Sequence, residues 1–521
     1  MTPRPPLIQA LLAPRMWDHP TWDIRLIETH ISWIILTGPF AYKIKKPVDF
    51  GFLDFTTLEK RKYYCEQELH LNQRLAPQLY LAVVRFTGTP SHPRLDGTGP
   101  DVEFAVKMRQ FDQNDLLSEY ARRDRLRESH IVQLAGSIAH FHEQTGRTGP
   151  ESPYGEPKAI ETVCLENFAH IDCDRLARHD LRETLERLRD WTIRNHERLA
   201  AHLQARKREG YVRDCHGDLH LGNIVLWHGK PLPFDCIEFN PQLRWIDVIS
   251  EIAFTVMDLA ARAHRPLGFR FLNEYLSVTG DYAGLKVLRF YLVYRAMVRA
   301  KIAYLTFDQS GNGHHLHDLA HYLELARGFS QPRSRMLLIT HGFSGSGKSF
   351  ASRRLAAHLE AVHLRSDVER KRLAGLPPQH KSKAGLGKDL YSENFSRLTY
   401  DRLFELAKQV LEAEFSVIVD ATFLHRKDRQ RFGELAQSLA VDFRILDFKA
   451  EEKVLRQRIE ERLEAGKDPS EADLDVLRWQ FEHHDPLSPQ EQDQTLPLDT
   501  SQGFELEQAL AKVASDKGSA R

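Results

Sequence analysis

Residues 342–349 read GFSGSGKS, from Gly342 to Ser349, and their reading decides the fold of the C-terminal part of this 521-residue chain. The run fits G-x-x-x-x-G-K-[ST] with no departure. Apolar "MLLIT" precedes it from Met336, and helix-periodic "KSFASRRLAAHLE" follows from Lys348. The pattern needs that strand–loop–helix setting. Glycines let backbone N–H groups turn inward around a phosphate, and the helix N-terminus adds its positive dipole end. Gly342, Ser344, Gly345, Ser346 and Gly347 are therefore expected to line the cradle. Lys348 is expected to reach the β- and γ-phosphates of ATP, and Ser349 to hold Mg²⁺.

Working outward, short apolar runs alternate with helical stretches: "VHLRSD", "FSVIVDAT", "FRILDF" and "TLPLDT". Strand–helix alternation of this kind predicts a parallel sheet covered on both faces. Asp367 ends the second strand and Asp420 the third, at the carboxyl edge where open α/β sheets bind ligands; Asp420 stands as a second Mg²⁺ residue. Arg458 and Arg462, at i and i+4, share one helix face. Together these features resemble the P-loop kinase group that includes gluconate kinases, polynucleotide 5′-hydroxyl kinases and zeta toxins, over roughly residues 334–500. The resemblance implies that Asp367 is the general base for an acceptor hydroxyl and that Arg458 and Arg462 belong to a lid over the transferred phosphate. Arg370 and Arg429 are weaker candidates for phosphate or substrate contacts.

A second polar stretch, "CHGDLHLGNI", occupies residues 215–224 and is followed by "PFDCIEF". His216 and His220 have the spacing of a helical zinc pair, but Gly217 and Gly222 break any helix and no Glu lies between the histidines. Phosphoryl transfer accounts for the whole arrangement. It needs an Asp to take a hydroxyl proton, an Asn five residues on to turn onto Mg²⁺, and a second Asp on a neighbouring strand; Asp218, Asn223 and Asp235 have that order. This is the grammar of the protein-kinase-like superfamily, and "HGDLHLGNI…FDCIE" resembles the aminoglycoside phosphotransferase family over about residues 20–328. The resemblance implies a strand lysine for the α/β-phosphates and a helical Glu that holds it. "AYKIKKP" offers Lys45 by preference, with Lys43 open; the helix from Thr56 offers Glu66 and, by its spacing to Leu75, better Glu68. No glycine-rich loop precedes the lysine, so the turn "ETHIS" would cover the phosphates.

Lys+Arg and Asp+Glu both number 72, so no bulk nucleic-acid binding is expected from net charge. Five scattered cysteines with no CxxC pair fit a reducing compartment. No window approaches the ~18 apolar residues of a membrane span, so a cytoplasmic soluble protein is expected. The expected fold is an α+β bilobal protein-kinase-like domain, N-lobe 1–110 and helical C-lobe 111–329, followed by a linker 330–335. An α/β P-loop domain at 336–500 and a C-terminal helix and tail at 501–521 complete it. This order resembles bacterial fusions of a phosphotransferase-like domain with a P-loop kinase, which implies a two-headed, ATP- and Mg²⁺-dependent kinase acting on hydroxyl acceptors. The alternatives are a kinase-like head that only senses nucleotide, or a toxin-like, ATP-gated interaction module.

Overall fold

β1 (Arg25–Glu28), β2 (Ser32–Leu36) and β3 (Phe40–Lys45) run antiparallel in succession, β2 turning into β3 at Thr37-Gly38-Pro39. They belong to a computed structural model that describes residues 4–515 apart from 52, 173–178, 378–391, 466–469 and 471. β4 (Tyr80–Thr89), β5 (His92–Leu95) and β6 (Asp101–Arg109) complete a six-stranded sheet of order β1-β2-β3-β6-β4-β5. β5 is a short return strand: His92–Leu95 folds back on the end of β4 despite its Pro93.

Side chains alternate across a strand. Along β2 and β3, Ile35, Tyr42 and Ile44 pack with Trp17 and the helix Pro6–Leu11 on one face. Leu36 and Ala41 face the other way, with Cys65 of the helix Leu58–Asn72. The same alternation sends Lys43 and Lys45 toward that helix. Thr57 caps its N-terminus by accepting the Lys60 N–H, so the helix starts at a fixed point and Glu68 lands on its buried side while Glu66 is exposed.

The chain divides into two compact units, Met1–Ala169 with Ile193–Asp258, and His170–Thr192 with Leu259–Arg521. In the first, β7 (Val212–Asp214) pairs with β10 (Trp245–Asp247), and β8 (Ile224–Trp227) with β9 (Lys230–Pro233). β9 ends at Pro233, before the Asp235 that the sequence reading places on a strand. Beyond it, the Phe234 N–H goes to the Asn223 carbonyl and the Ile237 N–H to the His216 carbonyl, so the loop takes these residues out of a ladder.

In the second unit the helices Arg265–Thr279, Leu285–Ser310 and His314–Ser330 precede a five-stranded, all-parallel sheet. Its strands are β11 (Met336–His341), β12 (Ala361–Arg365), β13 (Ser416–Asp420), β14 (Asp442–Lys449) and β15 (Thr495–Asp499), in the order β12-β13-β11-β14-β15. A kinase-like N-terminal region and a P-loop domain with a helix-covered parallel sheet are thus both present. Among the described residues, no helix is long and apolar enough to cross a membrane.

Candidate active sites

In the first unit the strand lysines and the helix carboxylate meet. Lys43 Nζ donates to Glu68 Oε1 at 2.8 Å and to Asp235; Lys45 Nζ donates to Glu68 Oε2 at 2.8 Å and to Glu238. Glu68 thus bridges both lysines, whereas Glu66 is exposed. The lysines differ in what they can reach. Lys45 is fully buried and faces Glu238, whereas Lys43 faces Asp235, whose side chain is 40% exposed. Asp235 holds φ at +63°, a backbone strain that aims its carboxylate, and its N–H donates to the Tyr80 hydroxyl at 3.1 Å.

Burial alone would lower the Lys43 pKa, yet Asp235 and Glu68 hold it well above its ordinary value. Burial would raise Glu68, but the two lysines bring it down to about 2. Glu238, equally enclosed but facing one lysine, is instead pushed up by burial. Three carboxylates around two ammonium groups leave one negative charge in excess, and Glu238 is where it is least compensated.

The loop after β7 is rigidly braced. Glu251 accepts the N–H groups of His216 and Gly217, at 2.6 and 3.0 Å. His216 is buried and neutral in character: desolvation lowers its pKa, Nε2–H donates to the Phe234 carbonyl at 2.8 Å and Nδ1 accepts the Asp218 N–H at 3.3 Å. His220 Nδ1 accepts the Gly222 N–H, so the two histidines are turned to different partners and form no zinc pair. A different trio, His142, Cys215 and Glu251, brings ligand-type atoms within 4.8 Å of one another, but both Glu251 oxygens already serve the loop backbone. Asn223 Nδ2 donates to Asp218 Oδ2 at 2.8 Å and to its carbonyl at 3.1 Å. With its nitrogen committed, Asn223 offers a cation its amide oxygen. Carboxylate and amide oxygens are the hard donors that suit Mg²⁺, so Asn223 and Asp235 fit that ion.

In the second unit the phosphate-loop residues stand on one strand–helix junction. Gly342 has φ +135°, and a Cβ there would lie 2.4 Å from the Phe448 carbonyl oxygen, so only glycine lets the loop leave β11. Lys348 opens the helix Lys348–His358 and curls back, donating to the Gly342 and Phe343 carbonyls at 2.8 and 2.7 Å. Ser344 is gripped by a residue the sequence did not single out: Gln480 accepts its N–H at 2.9 Å and donates to its hydroxyl at 3.0 Å. Asp420 is buried, hydrogen-bonded to His363 Nε2 at 3.2 Å and to the Ser349 hydroxyl. Burial would raise it, but the His363 bond keeps it ionised, and hydroxyl beside carboxylate is a donor set that fits Mg²⁺.

Asp367, in the first turn of the helix Ser366–Leu373, lies 3.6 Å from Arg370. The two arginines of the helix Glu452–Ala465 part company. Arg458 donates to the Thr500 hydroxyl and carbonyl, and that hydroxyl donates to the Ser346 carbonyl at 2.8 Å; Arg462 donates to the Ala472 carbonyl. Arg429 is spent on structure. It binds both oxygens of Glu491 and the carbonyls of Phe423, Leu424, Asp485 and Pro486, which removes it from the phosphate candidates.

Desolvation lowers the Lys348 pKa to about 8. A phosphate stabilises the protonated form, so nucleotide affinity should fall as pH rises through 8, by about tenfold between pH 7 and 9. Calorimetry in buffers of different ionisation enthalpy, on Lys43→Ala so that the P-loop head reports, should find proton uptake at pH 9 and none at pH 7. Equal affinity at both would refute the assignment.

The fold and the two constellations define a chain with a protein-kinase-like region followed by a P-loop kinase-type domain. The AAA domain family matches residues 337–487. The uncharacterized protein Rv2004c of Mycobacterium tuberculosis (strain ATCC 25618 / H37Rv) is 32% identical over 432 residues, 82% of this chain and 84% of that protein; the uncharacterized protein Mb2027c of Mycobacterium bovis matches equally. The chain belongs to the family of these mycobacterial proteins. Among solved structures it is similar to a choline/ethanolamine kinase family protein from Mesorhizobium loti, with TM-score 0.39 and 9% identity over 67% of this chain and 97% of that one. A putative kinase from Chloroflexus aurantiacus matches with TM-score 0.29 and 21% identity over 35% and 98%.

Proposed function

We propose that the chain is a two-headed ATP- and Mg²⁺-dependent phosphotransferase that moves the γ-phosphate to hydroxyl acceptors: a small molecule, a nucleoside or an RNA end. The observation that carries the reading is the convergence of Lys43, Glu68 and Asp235 in the unit that also holds the Asp218–Asn223 pair, residues drawn from four separate stretches of sequence. In the first head Lys43, rather than Lys45, holds the nucleotide phosphates, Glu68 fixes it, and Asn223 and Asp235 would hold Mg²⁺, which would supply positive charge to the phosphates. Asp218 takes the acceptor's proton as its oxygen bonds to the γ-phosphorus and the bond to the β,γ-bridging oxygen breaks, releasing ADP. In the second head Asp367 takes the proton, Lys348 and the loop from Gly342 to Gly347 hold the phosphates, and Ser349 and Asp420 hold Mg²⁺. Arg458 and Arg462 would serve the charge that builds on the transferred group only once released from Thr500 and Ala472.

The alternative, a first head that senses nucleotide without transferring phosphate, is favoured by one feature: the short β1–β2 turn stands where a glycine-rich loop would be. Asp218→Asn separates the two. Transfer from γ-labelled ATP is measured across sugars, nucleosides, RNA 5′-hydroxyl ends and aminoglycosides. A two-headed enzyme loses one substrate by about 10²–10³-fold and keeps the other. Full retention of every activity would leave only the sensor reading.

A further inference from the structure

β12 is an edge of the parallel sheet, and an edge strand presents unpaired N–H and C=O groups. Here one side chain takes the place of the missing neighbour. Asn273, in the helix Arg265–Thr279, accepts the His363 N–H at 2.8 Å through Oδ1 and donates to the Ala361 carbonyl at 2.9 Å through Nδ2. In a parallel ladder a residue bonds the carbonyl before its opposite number and the N–H after it. The Asn273 amide makes that pair of bonds around Val362, as one residue of a further strand would. It does so with 8% of its surface exposed.

The strand it grips leads into the candidate site. His363 carries the ring bonded to Asp420, and β12 ends immediately before the helix that bears Asp367. That helix is pinned a second time by the same stretch of chain. Arg372 donates to the Ser277 carbonyl at 2.6 Å. Gly280 lies against this arginine at φ +72°, a left-handed backbone that a side chain would strain, and a Cβ there would meet Arg372 Nε at 2.9 Å. Tyr282, buried, hydrogen-bonds Arg372 as well. Asp367 therefore sits between two anchors, His363 before it and Arg372 after it. Both are tied to residues 273–282, outside the P-loop domain as its sequence pattern delimits it.

We infer that Asn273 is a positioning residue for the P-loop head, setting Asp367 through β12 without touching nucleotide, with Gly280 securing the second anchor. The inference rests on the P-loop head being catalytic. The phosphate loop itself follows β11, two strands in from the edge, so the nucleotide cradle does not depend on Asn273.

The test uses the full chain and Mg²⁺-dependent ATP hydrolysis as the probe, counting only the turnover that Lys348→Ala abolishes. Asn273→Leu should lower that kcat at least tenfold while the KM for ATP stays within twofold, and hydrogen exchange should show the His363 amide losing protection. Gly280→Ala should lower kcat about threefold with the same unchanged KM, and it carries the test if Asn273→Leu does not fold. Wild-type kcat in a folded Asn273→Leu with an unprotected His363 amide would overturn the inference, as would a rise in KM that accounts for the whole loss. If Lys348→Ala removes no turnover, the catalytic reading of the P-loop head falls first and the inference with it.

Discussion

Replacing Lys348 by alanine is expected to lower turnover by the P-loop head about 10²–10³-fold, with no loss of thermal stability. The two halves of that expectation come from one geometry. The ammonium is buried between the Gly342 and Phe343 carbonyls, with the Ser346 hydroxyl 3.4 Å away, and in the proposed function it is the cation that holds the phosphates. Desolvation drives its pKa down to about 8. A lysine whose folded pKa lies below its unfolded value destabilises the fold wherever it is charged, and at pH 7 the shift corresponds to about 3 kcal/mol. Removing it relieves that cost, offset in part by lost packing of the methylene stem. Sites of this kind trade stability for function. Lys348→Arg should not restore turnover, because a planar guanidinium does not fit a cradle that the ammonium fills. Calorimetric melting and single-turnover transfer measure both halves; a Tm more than about 5 °C below wild type would show that Lys348 is structural.

What could be read from the sequence was whatever leaves a local mark. The phosphate loop is one contiguous motif, and its strand and helix flank it directly. Lys43 and Lys45 are two apart, so strand period alone puts them on one face, and the spacing to Leu75 favours Glu68 over Glu66. The sequence prefers Lys45; the proposal of Lys43 in its place rests on Glu238 and Asp235, nearly two hundred residues away, which the strand pattern does not reach. Asn273 was invisible for the same reason: an asparagine inside a helical stretch reads as a surface polar residue until β12 is known to be an edge. Arg429 misled in the opposite direction. An arginine near a ligand-bearing strand end looks available for phosphate, and only its six carbonyl and carboxylate bonds reveal it as a brace.

Lys43→Ala and Lys45→Ala should have opposite signatures. Lys45 is fully buried between Glu68 and Glu238, so its removal strips Glu238 of its cation and leaves Glu68 with one. Uncovering a buried charge in this way costs about 3–5 kcal/mol, and the variant should lose stability before any catalytic effect can be measured. Lys43 differs on both counts. Without it Glu68 keeps Lys45, and the half-exposed Asp235 is solvated by water, so the loss of stability should be smaller. Yet Lys43 is the ammonium that joins the helix carboxylate to the candidate metal carboxylate. Its loss should lower first-head turnover about 10²–10³-fold. The pair is best compared in a Lys348→Ala background, which silences the other head, by urea midpoint and by transfer to whichever acceptor Asp218→Asn abolishes. If Lys45→Ala is stable and inactive while Lys43→Ala retains turnover, the phosphate lysine is Lys45, and Asp235 must be held in place by something other than Lys43.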